Sequence, residues 1–244
     1  SDWEKFASYA FNKSHATCYS WVAYQTAYMK AHYPAEYMAA LMTRRFSQIT
    51  EITKLMEECK ALKIATLGPD VNESQIGFGV NKHGEIRFGL SAIKGMGASA
   101  ADSIVRERME NGPYKDIYDF AERVDLSNVN RKAFESLAYS GGFDSFGLQR
   151  EQYFAVTAKG DLFLDTIVRY GQLFQAEKAQ QQNSLFGGMD AIDVVHPIAP
   201  KAEKWPVIEK LNKERELVGI YLSAHPLDEY SVVLNNMCNA RCSM

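Results

Sequence analysis

The spacing of hydrophobic positions changes several times along this chain, and each change marks an element. Between residues 15 and 45, Trp21, Tyr24 and Tyr28, then Tyr37, Met38 and Leu41, recur at helical spacing, and Pro34 divides the run into two helices. His32 closes the first of them, where an imidazole suits the negative end of the helix dipole. Residues 49–62 repeat the pattern, with Ile49, Ile52, Leu55, Met56, Cys59 and Leu62 on one face and polar groups opposite. That helix is expected to lie on a core. At Leu67 the texture changes. "LGPDVNES" is turn chemistry, and two alternating runs, 76–80 and 86–90, joined by "NKHGE", predict a β-hairpin.

Helical spacing returns over residues 98–109 and stops at Gly112-Pro113. A short amphipathic helix is predicted over 114–124. Asn130 is a good N-cap for "RKAFESLAYS", which Gly141-Gly142 closes. One long helix is expected from about 149 to 178. The stretch 179–206 is rich in Gln, Gly, Pro and Ala without a period and reads as an exposed linker. A last helix is predicted near 207–217. The fold class is mostly α with a small β-hairpin.

Composition narrows the function. The 244 residues carry a net charge of −3, which gives no global reason to expect nucleic acid. The balance runs from +2 over residues 1–63 (eight Lys/Arg, six Asp/Glu) to −3 over 151–244 (nine against twelve). Any grip on a polyanion must therefore be local. The four cysteines are scattered, and Cys238 and Cys242 alone, with no second pair and no neighbouring histidine, are weak evidence for zinc. Free thiols in a reducing cytosol are expected, with no membrane partner. The chain opens on Ser rather than Met and reads as a segment of something longer.

The chemistry concentrates in three places. In "SAIKGMGASAADSI" the spacing is Ile93-x-Gly95-h-Gly97-x-x-x-Ala101-x-x-Ile104. Gly95 and Gly97 are expected to adopt backbone angles a side chain would forbid and to leave the turn's N–H groups bare. Met96 points inward as a plug, and Ala101 lets two helices approach. Bare N–H groups at a helix start favour an anion, and Lys94 and Ser99 add a charge and a hydroxyl. This is the layout of a helix-hairpin-helix, which holds one DNA backbone phosphate without reading a base. An ordinary packing corner is the alternative, which the full twelve-residue spacing disfavours. Arg106, Arg108, Arg131 and Lys132 extend the expected footprint. A Walker loop is excluded because no Gly-Lys-Ser/Thr follows, and a Rossmann fingerprint because the third glycine is missing.

Asn12, Lys13, Ser14 and His15 open the first helix in "FNKSHATCYSW". A cap, a point charge and an imidazole at the positive end of a dipole make a cradle for a triphosphate. Equally, they make an N-capped helix with a solvated lysine, and the chemistry alone favours that plainer reading. Gln182, Asn183, Ser184, Leu185 and Phe186 ("QNSLF") place an apolar pair in the polar linker. Such a pair fits a partner's pocket, or else staples the linker to its own domain.

Together these segments resemble the C-family replicative DNA polymerases, the alpha subunits of bacterial DNA polymerase III. The resemblance rests on "FNKSHATCYSWVAYQTAYMKAHYPAEYMAALMT", "PDVNES", "IRFGLSAIKGMG", "NRKAFESLAYSGGFDSFG" and "ERELVGIYLSAHPLDEY" in that order, and only 148–200 is loosely matched. It implies four segments. Residues 1–66 end the fingers, and 67–147 hold the hairpin and the helix-hairpin-helix for duplex DNA. Residues 148–200 form a long helix and linker with a sliding-clamp motif, and 201–244 lead toward an OB-fold. It implies that Asn12, Lys13, Ser14 and His15 face the incoming deoxynucleoside triphosphate. It likewise implies that Lys94, Gly95, Met96, Gly97, Ser99, Arg131 and Lys132 hold duplex primer–template, and that Gln182 to Phe186 tether the bacterial sliding clamp. Other holoenzyme subunits are further expected partners. The family's magnesium ions are bound by palm aspartates that lie before residue 1 in the family order, so no catalytic residue or cofactor is expected in this chain. Two rivals remain: a non-catalytic helix-hairpin-helix DNA-binding or repair module, and a helical scaffold without a DNA role.

Overall fold

Pro34 has no N–H to donate and suits the first turn of a helix, so the first helical run must break before it. In a computed structural model, which describes residues 3, 13–183, 195–230 and 236–237, α1 (Lys13–His32) ends there and α2 (Pro34–Arg45) begins. A third helix, α3 (Ile49–Ala61), packs back on α2. Met38, Met42, Ile52 and Cys59 are all buried between them. The apolar face expected of α3 is only half used: Ile52 and Cys59 are buried, while Ile49 and Leu62 remain exposed. The aromatic stripe of α1 is not core at all. No residue of α1 is buried, and Trp21 and Tyr24 are 60% and 63% exposed.

Burial has a chemical consequence at Cys59. Removal from water, with the Glu58 charge adding to it, pushes the thiol from its usual 9.0 to about 11. Below pH 9 both folded and unfolded chains keep the proton, so the full stability is present. As pH rises from about 9 to 11 the unfolded chain loses its proton first, and stability is lost. Urea midpoints compared at pH 8 and pH 10.5 should therefore fall less in Cys59→Ala than in the parent chain. An identical fall would show that the thiol is not desolvated.

The predicted hairpin is present but short. β2 (Gly79–Val80) pairs antiparallel with β3 (Ile86–Arg87), with Gly79 opposite Arg87. Asn81 shapes the connection, its Oδ1 accepting from the N–H groups of His83 and Glu85. A strand that no sequence pattern predicts, β1 (Thr66–Leu67), joins β3 in parallel, giving the order β1-β3-β2. The sheet thus straddles the 66/67 boundary, and Ile86 packs with α2 and α3.

The second core is built by α4 (Ala98–Asn111), α5 (Ile117–Arg123) and α6 (Arg131–Ser140). Asp116 caps α5 through the N–H groups of Tyr118 and Asp119, and Asn130 caps α6 through that of Ala133 at 3.1 Å. Phe120 sits edge-on to Tyr114, Phe134 and Phe143 at 4.9–5.3 Å, a geometry favoured by ring quadrupoles. The single helix expected from 149 to 178 is two. α7 (Arg150–Tyr153) ends early, a Val156–Leu162 bridge closes a turn around Gly160, and α8 (Phe163–Asn183) follows. Where α8 crosses α5, a Cβ at Gly171 would stand 2.6 Å from the Ala121 carbonyl oxygen, which accounts for a glycine in mid-helix.

The stretch read as an exposed linker is in part docked. Tyr118 donates its hydroxyl to the Pro197 carbonyl at 2.5 Å, Gln152 donates to that of Pro200, and Trp205 donates its N–H to Glu151. His196 lies flat on Tyr118 at 4.5 Å. α9 (Val207–Val218) then packs on α6. A buried ion pair fixes that last helix. Arg150 donates to Glu214 at 3.0 Å and to Asp144 at 2.6 Å, and Glu214 accepts the N–H groups of Leu222 and Ser223 at 2.8 Å each. Burial works against charge on the Arg150 guanidinium, but the two carboxylates outweigh it and raise its pKa.

Candidate nucleic-acid interface

A short 3-10 turn over Leu90–Ala92 delivers the chain into residues 93–97, and three parts of the molecule then hold that turn. From inside, Met96 is buried in the core that contains Ala100, Ala101 and Ile104, and its N–H donates to the Ile93 carbonyl at 3.0 Å. From α9, the Leu217 carbonyl accepts the Lys94 N–H at 2.9 Å. From α6, the Ser136 hydroxyl donates to the Lys94 carbonyl at 3.1 Å.

The two glycines do different work. Gly95 has φ +89°, in the left-handed region, and a Cβ there would stand 2.7 Å from Ser136 Oγ and 3.3 Å from Lys132 Cε. Gly97 has φ −75° and ψ 153°, an ordinary extended conformation, and a Cβ there would meet only Ser99 Oγ at 3.8 Å. The expectation of special backbone angles at both glycines is therefore corrected for Gly97. Its place in the fold is the N-cap of α4, where its carbonyl accepts the first helical bond from Ala101 at 3.0 Å.

No side chain caps α4, in contrast to α5 and α6. The N–H groups of its first turn have no acceptor within the helix by geometry. Lys94, Gly95, Gly97 and Ser99 are exposed around them, and Lys132 joins from α6. Among the described residues neither Lys94 nor Lys132 lies in an ion pair. The arginines behave otherwise. Arg131 is tied to Asp165 at 2.7 Å and to Glu135 at 2.8 Å. Arg106 pairs with Asp102. Arg108 is buried, donates to the Val71 carbonyl at 2.8 Å, and has its pKa lowered by that burial. Arg108 is thus a structural residue rather than part of a surface footprint.

The other two motifs are elsewhere. Lys13, Ser14 and His15 form the exposed first turn of α1, with the His15 ring 4.3 Å from that of Tyr19. Asn12 lies outside the described residues. Gln182 and Asn183 are the last two residues of α8, while Ser184, Leu185 and Phe186 lie outside the described residues, as do Cys238 and Cys242. Among the described residues no group of three His, Cys, Asp or Glu stands close enough to hold a metal ion, and no helix is long and apolar enough to cross a membrane.

Sequence reasoning missed Ser136 and Leu217, which hold the turn in place. They lie about 40 and 120 residues away in sequence, where no local pattern points to them.

Residues 63–153 match the helix-hairpin-helix motif family, and the turn at 93–97 lies within that match. Over nearly its full length the chain is similar to DNA polymerase III subunit alpha. It is 39% identical to that protein of Xylella fastidiosa (strain Temecula1) over 228 residues, 93% of this chain and 18% of the relative. The Vibrio cholerae protein is 39% identical over 239 residues, covering 98% and 20%, and that of Chlamydia trachomatis 41% over 232 residues, covering 92% and 18%. The chain thus spans about a fifth of the length of the curated relatives it matches.

Proposed function

We propose that this chain is a segment of a replicative DNA-directed DNA polymerase whose part in the reaction is to hold DNA, with the hairpin at 93–97 gripping the duplex backbone. The observation that carries the reading is the uncapped start of α4. It presents N–H groups without a side-chain cap beside Lys94 and Lys132, and its turn is pinned from α6 and α9 so that nothing need rearrange on binding. Backbone N–H groups and lysines contact phosphate oxygens, which are the same for every base, so the grip is blind to sequence. The double substitution Lys94→Gln with Lys132→Gln tests it. The log–log salt slope of duplex affinity should flatten by about 1.8, at roughly 0.9 for each phosphate no longer neutralised. An unchanged slope would refute the grip.

Two finer parts of the reading rest on the family resemblance. Lys13, Ser14 and His15, with Asn12, meet the incoming deoxynucleoside triphosphate, and Lys13→Ala should weaken nucleotide binding by the whole polymerase. Gln182 to Phe186 tether a sliding clamp. Burying Leu185 and Phe186 supplies roughly 1.5–3 kcal/mol each, so Leu185→Ala with Phe186→Ala should abolish co-migration with the clamp. The magnesium ions of nucleotidyl transfer belong to residues outside this chain, and no reaction step is assigned to the residues within it. Primer extension by this chain alone would contradict that assignment.

A further inference from the structure

The hairpin does not end at its own domain. Beside the turn lies a groove of about 430 Å³ between α6 and α9, lined by Lys94, Lys132 and Tyr139 on one side and by Lys213, Glu216 and Leu217 on the other. Lys213 lies beyond the 63–153 span that defines the hairpin domain, and α9 is the helix that pins Lys94. The groove holds three lysines against Glu135 and Glu216, and Glu135 is engaged by Arg131 at 2.8 Å. Its balance is therefore positive.

Lys213 is also held in place. Its Nζ stands 4.8 Å from the centre of the Trp205 ring and 5.0 Å from that of Tyr139, with Glu209 one turn back at 3.5 Å. Two aromatic faces steady the ammonium, and the solvent-exposed Glu209 carboxylate only partly offsets its charge. Trp205 is fixed in turn by its bond to Glu151 and by its stack on Phe154 at 5.6 Å. A lysine held in this way loses less side-chain freedom on meeting an anion than a free one does.

We infer that this groove is a second phosphate site, in which Lys213 takes the next phosphodiester of the strand whose first phosphate lies on the turn at 93–97. The inference rests on the duplex reading above. Lys94 and Gly95 of the turn line the groove together with Lys132 and Lys213, so a phosphate next along the strand to one on the turn falls within its reach. The helix after the clamp segment is then part of the DNA-holding surface, and not merely a passage to a following domain.

The test is salt-dependent binding of a mixed-sequence duplex to the full 244-residue chain carrying Lys213→Gln, Lys213→Arg or Lys210→Gln. Lys213→Gln should weaken binding about five- to tenfold at low salt and flatten the log–log slope by about 0.9. Lys213→Arg should keep the slope, and Lys210→Gln, a change on α9 outside the groove, should match the parent. If Lys213→Gln matches Lys210→Gln while Lys94→Gln with Lys132→Gln still flattens the slope, the second site is wrong and the hairpin grip survives. If the double variant has no effect either, the duplex reading fails with it. Loss of free deoxynucleoside triphosphate binding in Lys213→Gln, with duplex affinity intact, would also overturn the inference. An unchanged thermal midpoint shows that weaker binding comes from the missing ammonium and not from unfolding.

Discussion

Replacing Glu214 by alanine is expected to cost about 3–5 kcal/mol, because it leaves the buried Arg150 guanidinium without its enclosed partner. Glu214 is 1% exposed and holds two backbone N–H groups and two side chains at once: the N–H groups of Leu222 and Ser223, the Ser223 hydroxyl and Arg150 all point to it. For a chain of this length that loss corresponds to roughly 6–20 °C in thermal midpoint. Glu214→Gln keeps part of the hydrogen bonding and loses the charge, so its cost should be smaller, about 1–3 kcal/mol. Asp144 on the exposed side of Arg150 cannot compensate, since its own side chain is 47% exposed and solvent screens it. The Leu217 carbonyl that holds Lys94 belongs to the same helix, so the damage should reach the proposed DNA grip as well. A midpoint for Glu214→Ala within about 2 °C of the parent, less than 1 kcal/mol at this size, would show that the network contributes little.

The second large effect is at the turn. Gly95→Val places a side chain at φ +89° and drives its Cβ into Ser136 Oγ at 2.7 Å. Strain of about 1–3 kcal/mol from the backbone adds to a similar overpacking cost, so a total of roughly 2–6 kcal/mol is expected. Whatever fraction folds should lack the Ser136–Lys94 bond and with it the placement of the turn. Gly97→Ala is the contrast. Its backbone is ordinary and its surroundings open, so stability should change by about 0.5–1 kcal/mol at most. Equal damage from the two substitutions, read by urea denaturation, would mean that the turn is not held in the way the hydrogen bonds to α6 and α9 describe.

Local patterns made much of this molecule legible. Asn130 capping α6, Pro34 opening α2, and Met96, Ala101 and Ile104 facing inward all follow from side-chain chemistry within a few residues. What escaped depends on distant partners. β1 is two residues long and exists because β3 offers it an edge. Residues 195–206 carry no period, yet they dock because Tyr118 of α5 and Glu151 and Gln152 of α7 supply partners from two other segments. The α1 stripe is legible as a helix and nothing more, since helical spacing shows that a face exists and not what covers it. The buried ion pair did leave a trace in the sequence. Leu211, Glu214 and Val218 share the buried face of α9, and a carboxylate on an apolar face announces a buried cation.

This chain is proposed to hold duplex DNA by its phosphates and to read no bases. The most direct measurement is the affinity of the chain for two primed duplexes of unrelated sequence across a salt series. Equal affinities, falling steeply with salt at a log–log slope of about −2 to −3 for two or three phosphates, are the expected result. Affinity that is flat in salt, or that differs about tenfold between the two sequences, would contradict the claim.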